Sequence, residues 1–567
     1  MRYFVLATDY DGTLATDGRV ADTTLDALKR LRTSGRKLVL VTGRELDDLQ
    51  REFPHLDLFD YVVAENGAVI YCPTSRQEKL LGEAPTEKFV QALRAKNVDP
   101  LSVGKVIVAS WHPNEDTVLE TIRELGLELQ VIFNKGAVMV LPSGINKSAG
   151  LQAALEEMKV SVHNVVAVGD AENDHAFLNI SECSVAVANA LPSLKERVDL
   201  VTAGSRGDGV VELIDKLIDS DLSELDDKLQ GHDIHVGTSD DAEVSIKPYG
   251  TTVLLAGTSG GGKSTLATGI LERIAEAQYQ FCIIDPEGDY DNFAGAIVLG
   301  DANRTPSIEE IQSVLEQPNQ NLIINLLGVN LHDRPRFFAE LLPILLELRS
   351  RTGRPHWIVV DEAHHLLPSD LNTAAFTLPQ QVHGLMMITV HPDHMAPAAL
   401  SLVNTLLTVG QAPENNIKLF CEVVGDKAPE LTPQSLEKGE ALIWFRGSEP
   451  QRFRFTPGRT ERRRHVRKYA EGELGEDKSF YFRGKEGKLN LRAQNLILFS
   501  QIAAGVDDET WLYHLHENHY SYWFREAIKD LSLAEEVEEI EKNANCSASD
   551  SRQAIKAAIE SRYTLPA

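Results

Sequence analysis

Asp9 and Asp11 stand one residue apart in the run Asp9-Tyr10-Asp11-Gly12-Thr13, directly after the short apolar stretch Tyr3-Phe4-Val5-Leu6-Ala7-Thr8. Carboxylates so placed sit on a turn beyond a strand's C-terminal edge, where doubly wound sheets bind ligands. Asp9 can attack phosphorus and form an aspartyl-phosphate, which splits one hard displacement into two. Asp11 can protonate the leaving oxygen and then deprotonate water. Crowded carboxylates repel one another and call for a cation. Gly169-Asp170-Ala171-Glu172-Asn173-Asp174 offers further oxygen donors, so the expected Mg2+ ligands are Asp9, Asp11, Asp170 and Asp174. Thr42, in Val41-Thr42-Gly43-Arg44, and Lys147 would hold the phosphoryl oxygens by positioning and charge neutralisation.

A second constellation lies in the middle of the chain. Gly257-Thr258-Ser259-Gly260-Gly261-Gly262-Lys263-Ser264 has the GxxxxGK[ST] form of a loop that turns backbone N–H groups toward a triphosphate. The residues expected to bind ATP are Gly257, Gly260, Gly261, Gly262, Lys263, Ser264, Thr265 and Asp361, with Ser264 also a Mg2+ ligand. Asp361 and Glu362 follow the apolar Ile358-Val359-Val360, and Glu362 can polarise the attacking water. An acid directly after Asp361 favours hydrolysis over transfer to a small acceptor. That weighs against a polynucleotide kinase–phosphatase, which a phosphatase joined to such a loop would otherwise suggest.

These groups need sheets to carry them. Strands at 3–9, Lys37–Thr42, Tyr61–Val63, Asn164–Gly169, Ser184–Val187 and Leu200–Thr202, alternating with helices at Thr23–Thr33 and Glu45–Phe53, predict a parallel α/β sheet. Residues 70–145 break the rhythm, with strand-like Lys105–Ala109, Leu127–Phe133 and Ala137–Leu141, and read as an inserted α+β cap. The acidic stretch 221–250 reads as a linker in which Ile234–Val236 and Val244–Ile246 can pair as a hairpin. A second α/β unit follows, with strands at Thr252–Ala256, Phe281–Ile284, Asn321–Asn325, Trp357–Val360 and Met386–Val390. The divisions expected are 1–220, 221–250, 251–458 and 459–567, the last a basic segment and a helical module.

At 567 residues the chain has room for roughly three to four domains. No apolar run reaches the about 18 residues that span a bilayer, and the N-terminal apolar stretch is too short for a signal peptide. The five cysteines show no metal or disulfide spacing. Together these lead to the expectation of a cytoplasmic protein without a membrane partner. A net charge of −28 opposes indiscriminate coating of nucleic acid. Yet Arg446, Arg452, Arg454, Arg459, Arg462, Arg463, Arg464, Arg467 and Lys468 face only Glu449 and Glu461 between positions 446 and 468, and screening over about 8 Å lets such a patch act locally. Nucleic acid therefore stays open as a partner.

The motifs DYDGT, VTGR, Lys147 and GDAEND, in that order, resemble the haloacid dehalogenase superfamily of phosphatases over residues 1 to about 220. Ala64-Glu65-Asn66-Gly67-Ala68, the cap position and Ala186-Val187-Ala188-Asn189-Ala190 resemble its Cof-type branch with a C2-type cap, which includes phosphosugar and phosphoglycolate phosphatases. The resemblance implies a Mg2+-dependent phosphomonoesterase. Residues 231–458, through Gly257-Thr258-Ser259-Gly260, Asp285-Pro286-Glu287-Gly288-Asp289-Tyr290 and Asp361-Glu362-Ala363-His364-His365, resemble the HerA–FtsK ATPases. That implies a hexameric ring with an arginine reaching into the neighbour's ATP site; Arg446 leads, ahead of Arg459 and Arg462. The chain lacks that family's amino-terminal β-barrel, and Thr389-Val390-His391-Pro392 replaces its polar Gln, so Thr389 or His391 would sense the γ-phosphate. His364, His365 and His391 also fit plain hydrogen-bonded packing.

The expected function is a bifunctional phosphomonoesterase and ring-forming ATPase, open to acting on nucleic acid. The alternative is a metabolic phosphosugar or phosphoglycolate phosphatase that its ATPase domain regulates or scaffolds. In the tail, Trp511, Leu515, Tyr520, Trp523 and Phe524 suit helix-pair packing better than base stacking.

Overall fold

A computed structural model describes residues 1–563 apart from positions 135, 227, 230, 241, 259, 260, 370–381, 431–435, 460–473, 475–478, 529 and 544–546. Gly260, Arg462 and the rest of the basic run through Lys468 therefore lie outside the described residues. The chain forms two compact units, one of residues 1–286 with 295–459 and one of 287–294 with 460–567.

Two sheets make the first unit. The strand Val5–Thr8 is buried along its whole length and pairs in parallel with both Lys37–Val41 and Val165–Gly169. A strand covered on both faces has no reason to alternate polar residues, which is why it reads as one apolar run. From edge to edge the order is Leu200–Val201, Cys183–Ala186, Val165–Gly169, Val5–Thr8, Lys37–Val41, Tyr61–Ala64, Val69–Cys72 and Gln77–Leu80. The last two are antiparallel additions that lie inside the stretch expected as cap. Helix Asp22–Thr33 turns Leu25, Leu28 and Leu31 inward and places Arg30 and Arg32 in its last turn, where a helix favours cations.

The cap is a separate antiparallel sheet in the order Leu101–Val103, Val108–Trp111, Ala137–Pro142, Leu129–Asn134. Helices Glu87–Ala95 and Glu115–Leu125 join it in an apolar core of their own, built from residues such as Phe89, Leu93, Val118 and Val140. Of the strand expected at Lys105–Ala109, Val108 and Ala109 open strand Val108–Trp111, while residues 104–107 form a tight turn between two strands. Gly104 donates to the Ile107 carbonyl at 2.8 Å, and the N–H groups of Lys105, Val106 and Ile107 point to the Glu65 carboxylate instead of to a ladder.

In the second sheet, strands Thr405–Val409, Thr252–Gly257, Leu385–Thr389, Trp357–Val360, Phe281–Asp285, Asn321–Asn325 and Ala296–Leu299 run parallel in that order. Beyond Thr405–Val409 the strands Glu440–Phe445, Gln451–Phe455, Ile234–Ser239 and Ala242–Ile246 continue it in antiparallel fashion. The hairpin at 234–246 is thus the outer edge of this sheet, so the chain entering the second α/β layer is tied down before Thr252.

The two sheets meet through the N-terminal ends of their strands. A ring nitrogen of His163, just before Val165, meets the Ala277 carbonyl at 2.7 Å, and its ring stacks on Tyr279 with centroids 3.6 Å apart. Ala277 and Tyr279 directly follow helix Lys263–Glu276, which starts at Gly262 of the glycine-rich run. Arg354, just before Trp357, donates to the Lys159 carbonyl at 2.7 Å. Gly353, at φ 75°, lies so close to Asn164 that a Cβ there would come within 2.3 Å of its side chain.

In the second unit, Phe480–Phe482 pairs with Leu491–Ala493, and helices Leu496–Gly505, Asp508–His516, His519–Trp523, Leu531–Glu541 and Ala548–Tyr563 follow. Trp511, Leu515, Tyr520, Trp523 and Phe524 all fall in its apolar core. The fold is mixed α/β with a helical C-terminal region. Among the described residues no helix is long and apolar enough to cross a membrane.

Candidate active sites

The first site forms at the C-terminal edge of the Val5–Thr8 strand. Oxygens of Asp9, Asp170 and Asp174 lie within 4.8 Å of one another, and all three residues are buried. Lys147, also buried, donates from Nζ to Asp9 Oδ1 and to Asp174 Oδ1, each at 2.6 Å. Asp174 Oδ2 accepts the backbone N–H groups of Asp170 and Ala171 at 2.8 and 2.9 Å, which fixes its orientation. Burial above all, then the Asp174 charge, pushes the Asp9 carboxyl up to about 7 against the opposing pull of Lys147. Burial lowers the Lys147 ammonium, yet Asp174 and Asp9 together hold it above its ordinary value. Gly12, at φ 91°, presses so near that a Cβ would stand 2.4 Å from Asp170 Oδ2. A crowd of carboxylate oxygens with one lysine among them fits a hard, oxygen-preferring divalent cation.

Asp11 does not join that trio. Its two oxygens accept from Arg44 Nε at 2.7 Å and Nη2 at 2.8 Å, while Arg44 also reaches Glu52 at 2.9 Å. The Asp11 carboxylate is paired with Arg44, and the clustered oxygens are those of Asp9, Asp170 and Asp174. Arg44 stands in the same VTGR run as Thr42, and its role emerges only from the Asp11 contact. Thr42 is buried, and its Oγ1 accepts the Arg44 N–H at 3.1 Å.

Between these motifs runs the turn Glu65-Asn66-Gly67, whose φ values of 51, 55 and 105° are all left-handed. For the two non-glycine residues this costs about 1 kcal/mol or more each, so the surroundings must impose it. Glu65 N–H donates to the Arg44 carbonyl at 2.8 Å and Asn66 N–H to the Thr42 carbonyl at 3.0 Å. Asn66 Oδ1 accepts from Asn173 at 3.2 Å. Gly67 abuts the Asn146 carbonyl, where a Cβ would come within 1.9 Å. Asn146 caps helix Lys147–Met158 by accepting the Ala149 N–H, and so sets Lys147 at the helix start. A cavity of about 510 Å3 opens above Asp9, roofed by cap residues that include Ser102, Ile107, Trp111 and Met139.

The second site sits on strand Thr252–Gly257 and helix Lys263–Glu276. Lys263 is buried and donates to the Gly257 carbonyl at 2.6 Å and to that of Thr258 at 3.2 Å. A Cβ on Gly257 would stand 2.3 Å from the Val409 carbonyl, and one on Gly261 would stand 3.0 Å from Gly410. Gly262, at φ 98°, opens the helix, whose first N–H groups lack intrahelical partners and suit an anion. Ser264 is half-buried and Thr265 exposed. One strand, Leu385–Thr389, separates Thr252–Gly257 from the strand that ends at Val360 before Asp361. Asp361 and Glu362 are both buried, and Asp361 Oδ1 accepts the Glu362 N–H at 3.0 Å.

Of the candidate sensors, Thr389 is buried and joins His364 at 3.1 Å, while His364 lies 3.6 Å from Glu362. Burial, then the neighbouring His365 and His391, pushes His364 down to about 4. His391 itself is exposed and donates its backbone N–H to Thr389. Arg446, the leading candidate for a trans arginine, is engaged within its own chain. It meets Asp426 at 2.6 Å and the Ser401 carbonyl at 3.0 Å, beside the start of Thr405–Val409 and at the edge opposite the glycine-rich run. Arg459 is far more open, with a side chain 86% exposed and a contact to Glu276 at 3.3 Å.

Residues 6–115 and 95–214 match the family described as haloacid dehalogenase-like hydrolase, and residues 234–365 match the helicase HerA central domain. A phosphoglycolate phosphatase of Methanothermobacter thermautotrophicus is 31% identical over 220 residues, covering 37% of this chain and 96% of that protein. Phosphoglycolate phosphatase 2 of Saccharolobus solfataricus is 30% identical over 220 residues, covering 38% of this chain and 92% of its own length. A solved haloacid dehalogenase-like hydrolase from Bacteroides thetaiotaomicron aligns at 19% identity and a TM-score of 0.34, over 38% of this chain and 99% of its own.

Proposed function

The chain belongs to the haloacid dehalogenase-like hydrolases, with a HerA-type P-loop ATPase domain behind the phosphatase, and on that premise we propose a Mg2+-dependent phosphomonoesterase acting on a small anionic ester, joined to a ring-forming ATPase. The buried cluster of Asp9, Asp170, Asp174 and Lys147 carries the first half of this reading. Asp9 Oδ attacks phosphorus, the ester P–O bond breaks, and the acyl-phosphate on Asp9 is then hydrolysed by water. Asp11, held beside the site by two Arg44 hydrogen bonds, would have to release one of them to carry the proton to the leaving oxygen and then take one from the water. Thr42 and Lys147 hold the phosphoryl oxygens. A divalent cation held by Asp9, Asp170 and Asp174 would supply charge neutralisation between those carboxylates and the phosphoryl group.

The roofed cavity supports a small substrate, and the relatives named as phosphoglycolate phosphatases support a phosphorylated small acid as its class. In the ATPase half, the loop from Gly257 to Thr265 cradles ATP, Ser264 and Asp361 serve its metal, and Glu362 activates water. A hexamer with nucleic acid as cargo extends the proposal, and the open Arg459 suits a contact in trans better than Arg446.

Phosphate release from 2-phosphoglycolate and from p-nitrophenyl phosphate, with and without Mg2+, ATP and duplex DNA, tests both halves. Mg2+-dependent release from 2-phosphoglycolate is expected, together with ATP hydrolysis. No release from either ester would end the phosphatase reading. DNA-indifferent ATP hydrolysis, or a monomer by light scattering, would end the nucleic-acid motor.

A further inference from the structure

We propose that Glu65 is a positioning residue for the phosphatase, latching the cap's Gly104–Ile107 turn to the core so that the cap residues over Asp9 select the substrate. The inference rests on the phosphatase reading above.

Glu65 is 1% exposed. Its Oε1 accepts the Lys105 N–H at 2.9 Å, and its Oε2 accepts those of Val106 and Ile107 at 2.8 and 3.0 Å. Three successive backbone donors converge on one carboxylate, an arrangement in which a main-chain nest binds an anion. The anion here comes from the core domain and the nest from the cap. Gly104 permits the approach, since a Cβ there would stand 2.9 Å from Glu65 Oε1 and 2.8 Å from Ile107 Cγ2. The nest leads straight into strand Val108–Trp111, and Ile107, Ala109 and Trp111 line the cavity above Asp9.

The core end of the latch is equally constrained. Through their backbone N–H groups, Glu65 and Asn66 hang on the carbonyls of Arg44 and Thr42, and Asn66 is bound to Asn173. Glu65 therefore measures the position of the cap against the same residues that frame the reacting phosphate. It does not line the cavity above Asp9 and acts through the cap. A second tether, Ser102 to Glu45, lies on a different side chain of the same cap sheet.

The test uses the full chain, with Glu65→Gln and Glu65→Ala. Gln keeps one acceptor and presents an NH2 group to backbone donors, so it should behave much nearer to Ala than to Glu. Amide exchange at 105–107 should speed up about tenfold or more in both variants. The KM for 2-phosphoglycolate should rise about tenfold, while kcat for p-nitrophenyl phosphate changes less than threefold, about the spread expected when only positioning is lost. ATP hydrolysis serves as the folding control. If a Glu65 variant loses ATPase activity, Gly104→Ala strains the same contact from the cap side and should give the same exchange and KM pattern. Unchanged protection at 105–107, or an unchanged KM in an active enzyme, would overturn the latch. A wild-type chain that cleaves neither ester would instead overturn the phosphatase reading, and the exchange result would still decide whether Glu65 holds the cap.

Discussion

Tyr279 donates its phenolic O–H to Glu182 Oε2 at 2.9 Å, and the bond crosses from the ATPase half to the phosphatase half. The same buried carboxylate accepts from Arg2 at 2.5 Å and from His163 at 2.7 Å. Burial alone would raise Glu182, but the His163 hydrogen bond and the His163 and Arg2 charges hold it down to about 2. A carboxyl depressed on folding contributes stability above its unfolded value near 4.5, and that contribution is lost as pH falls toward 2. Glu182→Gln should therefore cost about 3 kcal/mol at neutral pH, with the difference from wild type shrinking between pH 4.5 and 2. Thermal melts over that range, followed by both activities, check this. Equal melting temperatures at pH 7 would contradict it.

Asp9→Asn removes the attacking oxygen and leaves the ATP site untouched. Phosphatase turnover should fall by about a thousandfold or more while ATP hydrolysis stays within twofold. Loss of both activities would show that the sites are not separable. Chelation with EDTA should silence both and readdition of Mg2+ restore both, because each site gathers carboxylate or hydroxyl oxygens suited to that ion.

Lys263→Ala should reverse the pattern. The loop loses its only lysine, and ATP hydrolysis should drop by about a hundredfold or more with Asp9 chemistry preserved. Surviving ATP hydrolysis would place the nucleotide elsewhere.

Arg44→Ala removes both Arg44 hydrogen bonds from the Asp11 carboxylate. A general acid that has lost its orientation should cost about a hundredfold in kcat with a smaller change in KM. An unchanged kcat would show that the ion pair only packs the site edge.

The two candidate loops stand out in the sequence because their residue types are compressed into runs of a few positions, as in Asp9–Thr13 and Gly257–Ser264. The turn at 104–107 reads as strand because Val106 and Ile107 are apolar and β-branched, yet their backbone goes to Glu65, some forty positions earlier. Strand Thr405–Val409 and the hairpin's place at the sheet edge depend on pairing partners distant in the chain. Arg2, His163, Glu182 and Tyr279 carry no local signature at all, and only the docking of two sheets brings them together. Arg446 reads as a free cation in a basic run, yet Asp426, twenty positions away, already claims it.

In the second unit, Trp511 is fully buried, stacks on Tyr520 at 4.5 Å and donates from Nε1 to Ser551 at 2.9 Å. Trp511→Ala should destabilise that unit by about 3–5 kcal/mol. Protease cleavage within 480–563 should appear, with phosphatase turnover unchanged. A protease-resistant variant would rule out a core role.

Among the described residues, His163, Glu182, Tyr279 and Arg354, which join the two α/β layers, each precede a strand, whereas Asp9, Asp170, Gly257 and Asp361 stand where strands finish. Both candidate mouths therefore open at strand ends away from the seam, about a strand length from it. A coupling between the halves would find its most direct route through the side chains packed there, with Glu182 and Tyr279 the first place to cut it.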